Sequence, residues 1–392
     1  MGKYDKWLLL LTAFLVGFGA LMIYSSTSIV TQVLAKKGIT EFYYFKRHMF
    51  TIMIGVTFLV IAYRLNPQFI RKMALPLLVV SFVLLILVFL PGIGVTAGGA
   101  RRWIRLWPST FQPSEIAKLA MVIYMARYMS MPEYKTDSFI SFIKPVGIMI
   151  LFQAVILKQP DFGAAMSLAF LTFALLFLSG AKLRYFGYLA VPAVPIIIKL
   201  ATEPYRLKRI TSFMNPWEDP LGSGFQLIQS FIALGSGGLT GVGLGSSKQK
   251  LAYLPESHTD FIFSIIGEEF GFIGVSVIVA FFMILFIKGI SVANKAKDSF
   301  VFYLATGLSL MISLQALINF AVATGLVPTK GLPLPFISYG GSSLLVNMAA
   351  IGILLNISKG EKEWENLTSS REILVRRKAR RNVYRKYDAS AG

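Results

Sequence analysis

The 392-residue chain contains no cysteine, which excludes disulfides and thiol chemistry. It has only two histidines and no HExxH pattern, so a histidine-built zinc site has no support. No Asp-x-Asp pair occurs anywhere, which argues against an enzyme that holds a nucleotide-sugar donor through a metal. The glycine run 235–245 fits neither GxxxxGK[ST] nor GxGxxG and reads as a flexible loop rather than a phosphate cradle. Charge is scarce too. Charged residues make up 15% of the chain against about 25% in an ordinary soluble domain, and only 19 residues are acidic.

What the chain has instead is apolar sequence, 55% of its residues. Runs of about 17–25 apolar residues suit a hydrocarbon core about 30 Å thick. Ten are present, near 7–27, 48–63, 73–91, 113–130, 139–157, 162–180, 184–200, 260–288, 300–324 and 335–357. The expected fold is therefore an all-α polytopic membrane protein with a transmembrane domain over 1–358 and a basic tail over 359–392. The first run is too long for a signal-peptide core and lacks a small-x-small cleavage site, so it reads as a retained span. An even number of spans puts both termini on one side. The tail carries Arg376, Arg377, Lys378, Arg380, Arg381, Arg385 and Lys386, which makes that side cytoplasmic and suits anionic lipid headgroups. No nucleic-acid partner is implied. Outer loops also carry cations, among them Arg101, Arg102, Arg105, Lys248 and Lys250, as expected of a surface that handles an anionic ligand. The longest outer loop, about 201–259, includes Phe225, Ile228, Phe231 and Ile232 at helical spacing. That spacing predicts a helix lying in the headgroup plane, with Gln226, Gln229 and Ser230 on its polar face.

The few acids are not scattered. Four crowd into "LPESHTDFIFSIIGEEFGFIG" (Glu256, Asp260, Glu268 and Glu269), together with His258. Glu115 and Lys118 lie three apart in "QPSEIAKLA", on one helix face. Asp161 follows Pro160 at the start of the sixth run, where it can also cap the helix. Lys330 lies between the ninth and tenth runs. In the ten-span arrangement all of these sit at outer helix ends, and ionisable groups at such depth are functional candidates by default. A structural pair explains Glu115 and Lys118 equally well, and at least one of Glu268 and Glu269 is expected to bond neighbouring helices. Asp260 is different. A helix from Asp260 to Lys288 is about 42 Å long, so its first turns project above the membrane, where a carboxylate can meet a lipid-anchored headgroup and exchange protons.

These stretches, with "GARRWI", "FQPSEIAKLA", "QPDFGAA", "NPWEDPLGSGFQLIQS", "ALGSGGLTGVGLG" and "PTKGLPLPFISYGGSS", resemble the SEDS family (shape, elongation, division and sporulation), nearer its division and sporulation members than its elongation member. The resemblance spans residues 7–357. It implies a peptidoglycan glycosyltransferase polymerising lipid II outside the bacterial cytoplasmic membrane, at the division septum. It places the family's essential aspartate at Asp260 and a polar cavity at Glu115, Lys118 and Asp161. It implies a class B penicillin-binding protein transpeptidase and other division proteins as partners. No cofactor is required by the sequence; the family leaves room for a divalent cation, for which no ligand set is readable.

The chemistry expected is one inverting displacement, with Asp260 as general base. Arg101, Arg102, Arg105 and Lys330 are candidates for the leaving pyrophosphate, and Glu256 and His258 for further substrate contacts. Two other readings stand beside it: a lipid II flippase, suited by polar residues in a bundle, and a non-catalytic scaffold of the division site.

Overall fold

Backbone groups in hydrocarbon must be satisfied within the chain, so apolar runs of this length fold as helices. The computed structural model describes residues 4–34, 42–97, 99–106, 109–202, 207, 211–250, 258–329 and 331–360. Its helices are α1 Lys6–Leu34, α2 Tyr43–Arg64, α3 Pro67–Leu87, α4 Pro113–Met129, α5 Phe139–Lys158, α6 Phe162–Leu178, α7 Leu183–Ala201, α8 Phe225–Ser236, α9 Ile262–Asn294, α10 Ser299–Ala323 and α11 Gly341–Ile357. All ten predicted spans fall on helices, α1–α7 and α9–α11. Helices α1, α2, α3, α5, α9 and α10 are long and apolar enough to cross a bilayer, and α6 and α11 are shorter apolar helices of 17 residues. The chain is a multi-pass membrane protein.

Helix α4 explains how charge enters such a bundle. It carries Glu115, Lys118 and Arg127, yet it is buried on nearly every face, packed by α3, α6 and α10. Protein rather than lipid surrounds it, so its polar groups can be satisfied by neighbours. Its start is set by Pro113 in the first turn, where a missing N–H costs nothing.

Three features depart from the sequence expectation. First, the fold is not purely helical. Strands β1 Gly94–Ala97, β2 Ala100–Leu106 and β3 Ser109–Phe111 form a small antiparallel sheet in that order, between α3 and α4. The sheet rests on α4 and α11. Its strands are too short to register against long apolar helices in a hydropathy reading. Second, α8 forms as expected but buries a different face: Leu227, Ile228, Ser230 and Ala233. Ser230, expected on the polar side, is fully buried because its hydroxyl pairs with Ser264 Oγ at 2.6 Å and donates to the Ala323 carbonyl at 2.7 Å. A small residue with satisfied hydrogen bonds lets α8 pack closely on α9 and α10.

Third, the eighth span is interrupted. The helix begins at Ile262, after Asp260, and breaks at Gly271, whose φ of 66° lies in the left-handed region. A side chain there would collide with Gly241 N at 2.4 Å. The break leaves backbone groups that the glycine run satisfies. Val242 N donates to Glu268 O at 2.9 Å and Gly243 N to Glu269 O at 3.1 Å; Phe272 N and Ile273 N donate back to Gly238 O and Leu239 O. Instead of an open loop, the run is backbone bonded to an interrupted helix.

Candidate active site

Helices α4, α6, α9 and α11 present their N-termini at one end of the bundle, and α10 its C-terminus. Glu115, Lys118, Asp161 and Asp260 of the sequence reading lie there. Lys118 Nζ lies 2.9 Å from Glu115 Oε1, both side chains 3% exposed. A third partner, Gln315 of α10, accepts from Lys118 at 3.0 Å. The Gln315 amide then donates to the Pro333 carbonyl at 2.9 Å and to Ser343 Oγ at 2.8 Å. Lys118, Gln315, Ser167, Leu171, Met311 and Leu314 line a small cavity beside this junction. Asp161 is the N-cap of α6 and accepts from Ala164 N at 3.1 Å. Its other oxygen accepts from Gln112 Nε2 at 2.8 Å, while Gln112 N donates to Ser342 Oγ. Asp161 thus caps α6 and is tied to the loop before α4, and the small cavity is lined by Lys118 but not by Asp161 or Glu115.

Asp260 lies in the turn 258–260 before α9 and is partly exposed. The segment 331–334 passes beside it. A side chain at Gly331 would come within 3.2 Å of Asp260 Oδ2, and Leu332 packs on Gly163 of α6. Asn319, one turn beyond Gln315 on α10, donates to Asp260 O at 2.8 Å and Leu332 O at 2.9 Å. On the other side of the turn stand aromatic groups. The rings of His258, Tyr44 and Tyr339 have centroids 5.6–5.8 Å apart, and His48 lies 6.0 Å from Tyr339.

Glu268 and Glu269, expected to include at least one structural group, both serve structure. Glu268 accepts from Lys248 N at 2.9 Å, from Gln249 N at 3.3 Å and from Ser247 Oγ. Glu269 pairs with Lys250 Nζ at 2.9 Å, with both side chains within 1% of full burial, and accepts from Ser25 of α1 at 2.7 Å. These acids clamp the segment 247–250 onto α9 and α1. The three arginines separate likewise. Arg101 is committed to the Leu90 carbonyl at 2.6 Å, and Arg105 is exposed on β2. Arg102 is the extra residue in a bulge opposite Val95 and Thr96, and its Nε is buried with no hydrogen-bond partner. Bulges commonly re-aim a side chain beside a site. Glu256 and Lys330 lie outside the described residues.

Gln112, Gln315, Asn319, Ser338, Tyr339 and Ser343 were missed by a reading that followed charge. A signal existed: Gln315 and Asn319 are amides four apart in an otherwise apolar helix, hence on one face.

The family model described as FTSW_RODA_SPOVE, cell cycle protein, matches residues 6–363. The chain belongs to this family. A "Probable peptidoglycan glycosyltransferase FtsW" of Geobacter sp. (strain M18) is 46% identical over 357 residues, covering 91% of this chain and 96% of the relative. The "Stage V sporulation protein E" of Bacillus subtilis (strain 168) is 40% identical over 91% of this chain and 97% of its own length. Among solved structures, a chain described under "Structural coordination of polymerization and crosslinking by a peptidoglycan synthase complex" superposes with a TM-score of 0.75. It is 29% identical, with 91% of this chain and 98% of that one covered. The rod shape determining protein RodA of Thermus thermophilus gives a TM-score of 0.66 at 25% identity, over 91% and 97% of the two chains. The FtsW/RodA/SpoVE chain described above thus shares both sequence and bundle with these relatives over nearly their whole lengths.

Proposed function

We propose that this family member is a peptidoglycan glycosyltransferase that polymerises lipid II, with Asp260 as its general base. One observation carries the assignment of the base. Of the acids gathered near this end, Glu115, Asp161, Glu268 and Glu269 are at most 3% exposed and held by protein partners. Asp260 alone among those five is partly exposed. A base must reach the hydroxyl whose proton it takes.

The reaction is a single displacement. The acceptor sugar hydroxyl attacks the anomeric carbon of an α-linked donor while Asp260 takes the hydroxyl proton. The new O–C1 bond forms as the bond from C1 to the polyprenyl pyrophosphate breaks, and the configuration inverts to β. The charge that develops on the leaving pyrophosphate calls for a positioned cation. Arg102, with an uncommitted Nε, fits that role better than Arg101; Lys330 remains a candidate from the sequence. Among the described residues no three His, Asp or Glu side chains converge as metal ligands.

The flippase alternative calls for buried charged groups at both ends. At the opposite end the pairs Arg71–Asp298 and Lys182–Asp137 are at least 30% exposed on each side chain, which favours one-sided chemistry. The polymerase reading implies a site on the outer face of the cytoplasmic membrane, termini inside, a class B penicillin-binding protein as partner, and work in septal wall synthesis. Detergent removes the membrane that a flippase needs. There, protein and partner are expected to convert lipid II into long glycan strands, and Asp260→Asn to lose about 10²–10⁴-fold in rate while still binding the partner. A parental rate from Asp260→Asn refutes the assignment; lipid II movement across vesicles without polymer supports the flippase.

A further inference from the structure

We propose that Asn319 and Ser338 are positioning residues for Asp260, acting on its carboxylate through the backbone of its own turn. The inference rests on Asp260 being the base. Three consecutive carbonyls of that turn are each held from outside it. His258 O accepts from Tyr339 N at 2.9 Å, Thr259 O from Ser338 Oγ at 2.5 Å, and Asp260 O from Asn319 Nδ2 at 2.8 Å. A turn outside helix or sheet ordinarily leaves such groups to water. Here each of these three carbonyls is tied to α10 or to the segment before α11.

Neither side chain is placed to touch substrate. Asn319 is 1% exposed and Ser338 3%. One Asn319 amide nitrogen serves both Asp260 O and Leu332 O, using both of its hydrogens. The reverse amide orientation would set its oxygen against two carbonyl oxygens, so the network fixes the assignment. Ser338 donates to Thr259 O and accepts from Leu334 N at 2.8 Å. The segment supplying these groups is itself held under strain. Phe336 has φ 66° and is buried, a conformation that persists only where the surroundings over-determine it. Gly19 of α1 packs against that backbone so closely that a Cβ would come within 2.5 Å of Phe336 O.

The physical benefit is preorganisation. A base must sit within a fraction of an ångström of its productive place, and a shift of about 1 Å costs about 10²-fold. Anchoring each carbonyl fixes the backbone from which the Asp260 carboxylate projects, which packing around a half-exposed turn does not do alone.

The test is lipid II polymerisation in detergent by the full chain with its transpeptidase partner, over a range of substrate concentrations. The variants are Asn319→Leu, which keeps volume and removes both donors, Ser338→Ala, which deletes one hydroxyl, and Asp260→Asn. Asn319→Leu is expected to lower kcat by about 10²-fold with KM and partner binding at parental values, and Ser338→Ala to lower kcat in the same direction by less. If Asn319→Leu does not fold, Ser338→Ala carries the same kcat-against-KM comparison. Parental kcat in these variants, in a protein that Asp260→Asn inactivates, overturns the positioning role and leaves the base in place. A loss in which KM and partner binding change together with kcat marks a general structural role and also overturns it. Full activity in Asp260→Asn removes the base assignment and this inference with it.

Discussion

Removing Glu115 should destabilise this protein more than its position at a helix end suggests. The Glu115–Lys118 contact is 2.9 Å with both side chains 3% exposed. At an effective dielectric constant of about 20 the attraction between such charges is about 6 kcal/mol, most of it offset by the cost of desolvating the two ions. Their net contribution is therefore small, but removing one partner is costly. In Glu115→Ala the ammonium of Lys118 keeps only the neutral Gln315 oxygen at 3.0 Å, and stranding a buried charge costs about 3–5 kcal/mol. With an unfolding entropy of about 2.1 cal/mol/K per residue over 392 residues, that is about 4–6 °C in Tm. Glu115→Ala with Lys118→Met removes both charges and should recover at least half of the loss. Intrinsic fluorescence of the five tryptophans is the suitable readout, because thiol-reactive dyes have nothing to label. A Glu115→Ala protein that melts with the parent, or a double variant no better than the single, refutes the picture of a sealed pair.

Lys250→Met leaves Glu269 buried with Ser25 as its remaining side-chain hydrogen-bond donor, so Tm should fall by a similar amount and protease should cut the outer loop sooner; unchanged cleavage in detergent would show that the clamp does not hold the loop. Gly331→Ala puts a methyl 3.2 Å from Asp260 Oδ2 and should lower kcat with little change in Tm, as turnover and melting measured together will show. On the cysteine-free background, a cysteine at exposed Ser246 should react with an impermeant thiol reagent in intact cells, whereas one at Ser369, in the tail beyond the described residues, should not; the reverse pattern inverts the orientation.

The sequence by itself determined the features whose physics is local. Ten apolar runs became helices because burial in hydrocarbon leaves the backbone no other partner. The Glu115–Lys118 pair follows from three-residue spacing on one helix, and the Asp161 cap from its place before α6. Asp260 stands out because acids are few and this one lies just before a long apolar helix, which starts at Ile262 and breaks at Gly271.

Tertiary structure alone decided which acids are structural and which one is partly exposed. Glu269 meets Ser25 across 244 residues of chain, and Lys250 across 19; hydropathy cannot foresee either. Nor can it mark Asn319 and Ser338, whose bonds to the Asp260 turn span 59 and 79 residues. A neutral amide or hydroxyl barely alters the apolar character of its segment. Its role comes into view only when helix packing brings a carbonyl within hydrogen-bond reach.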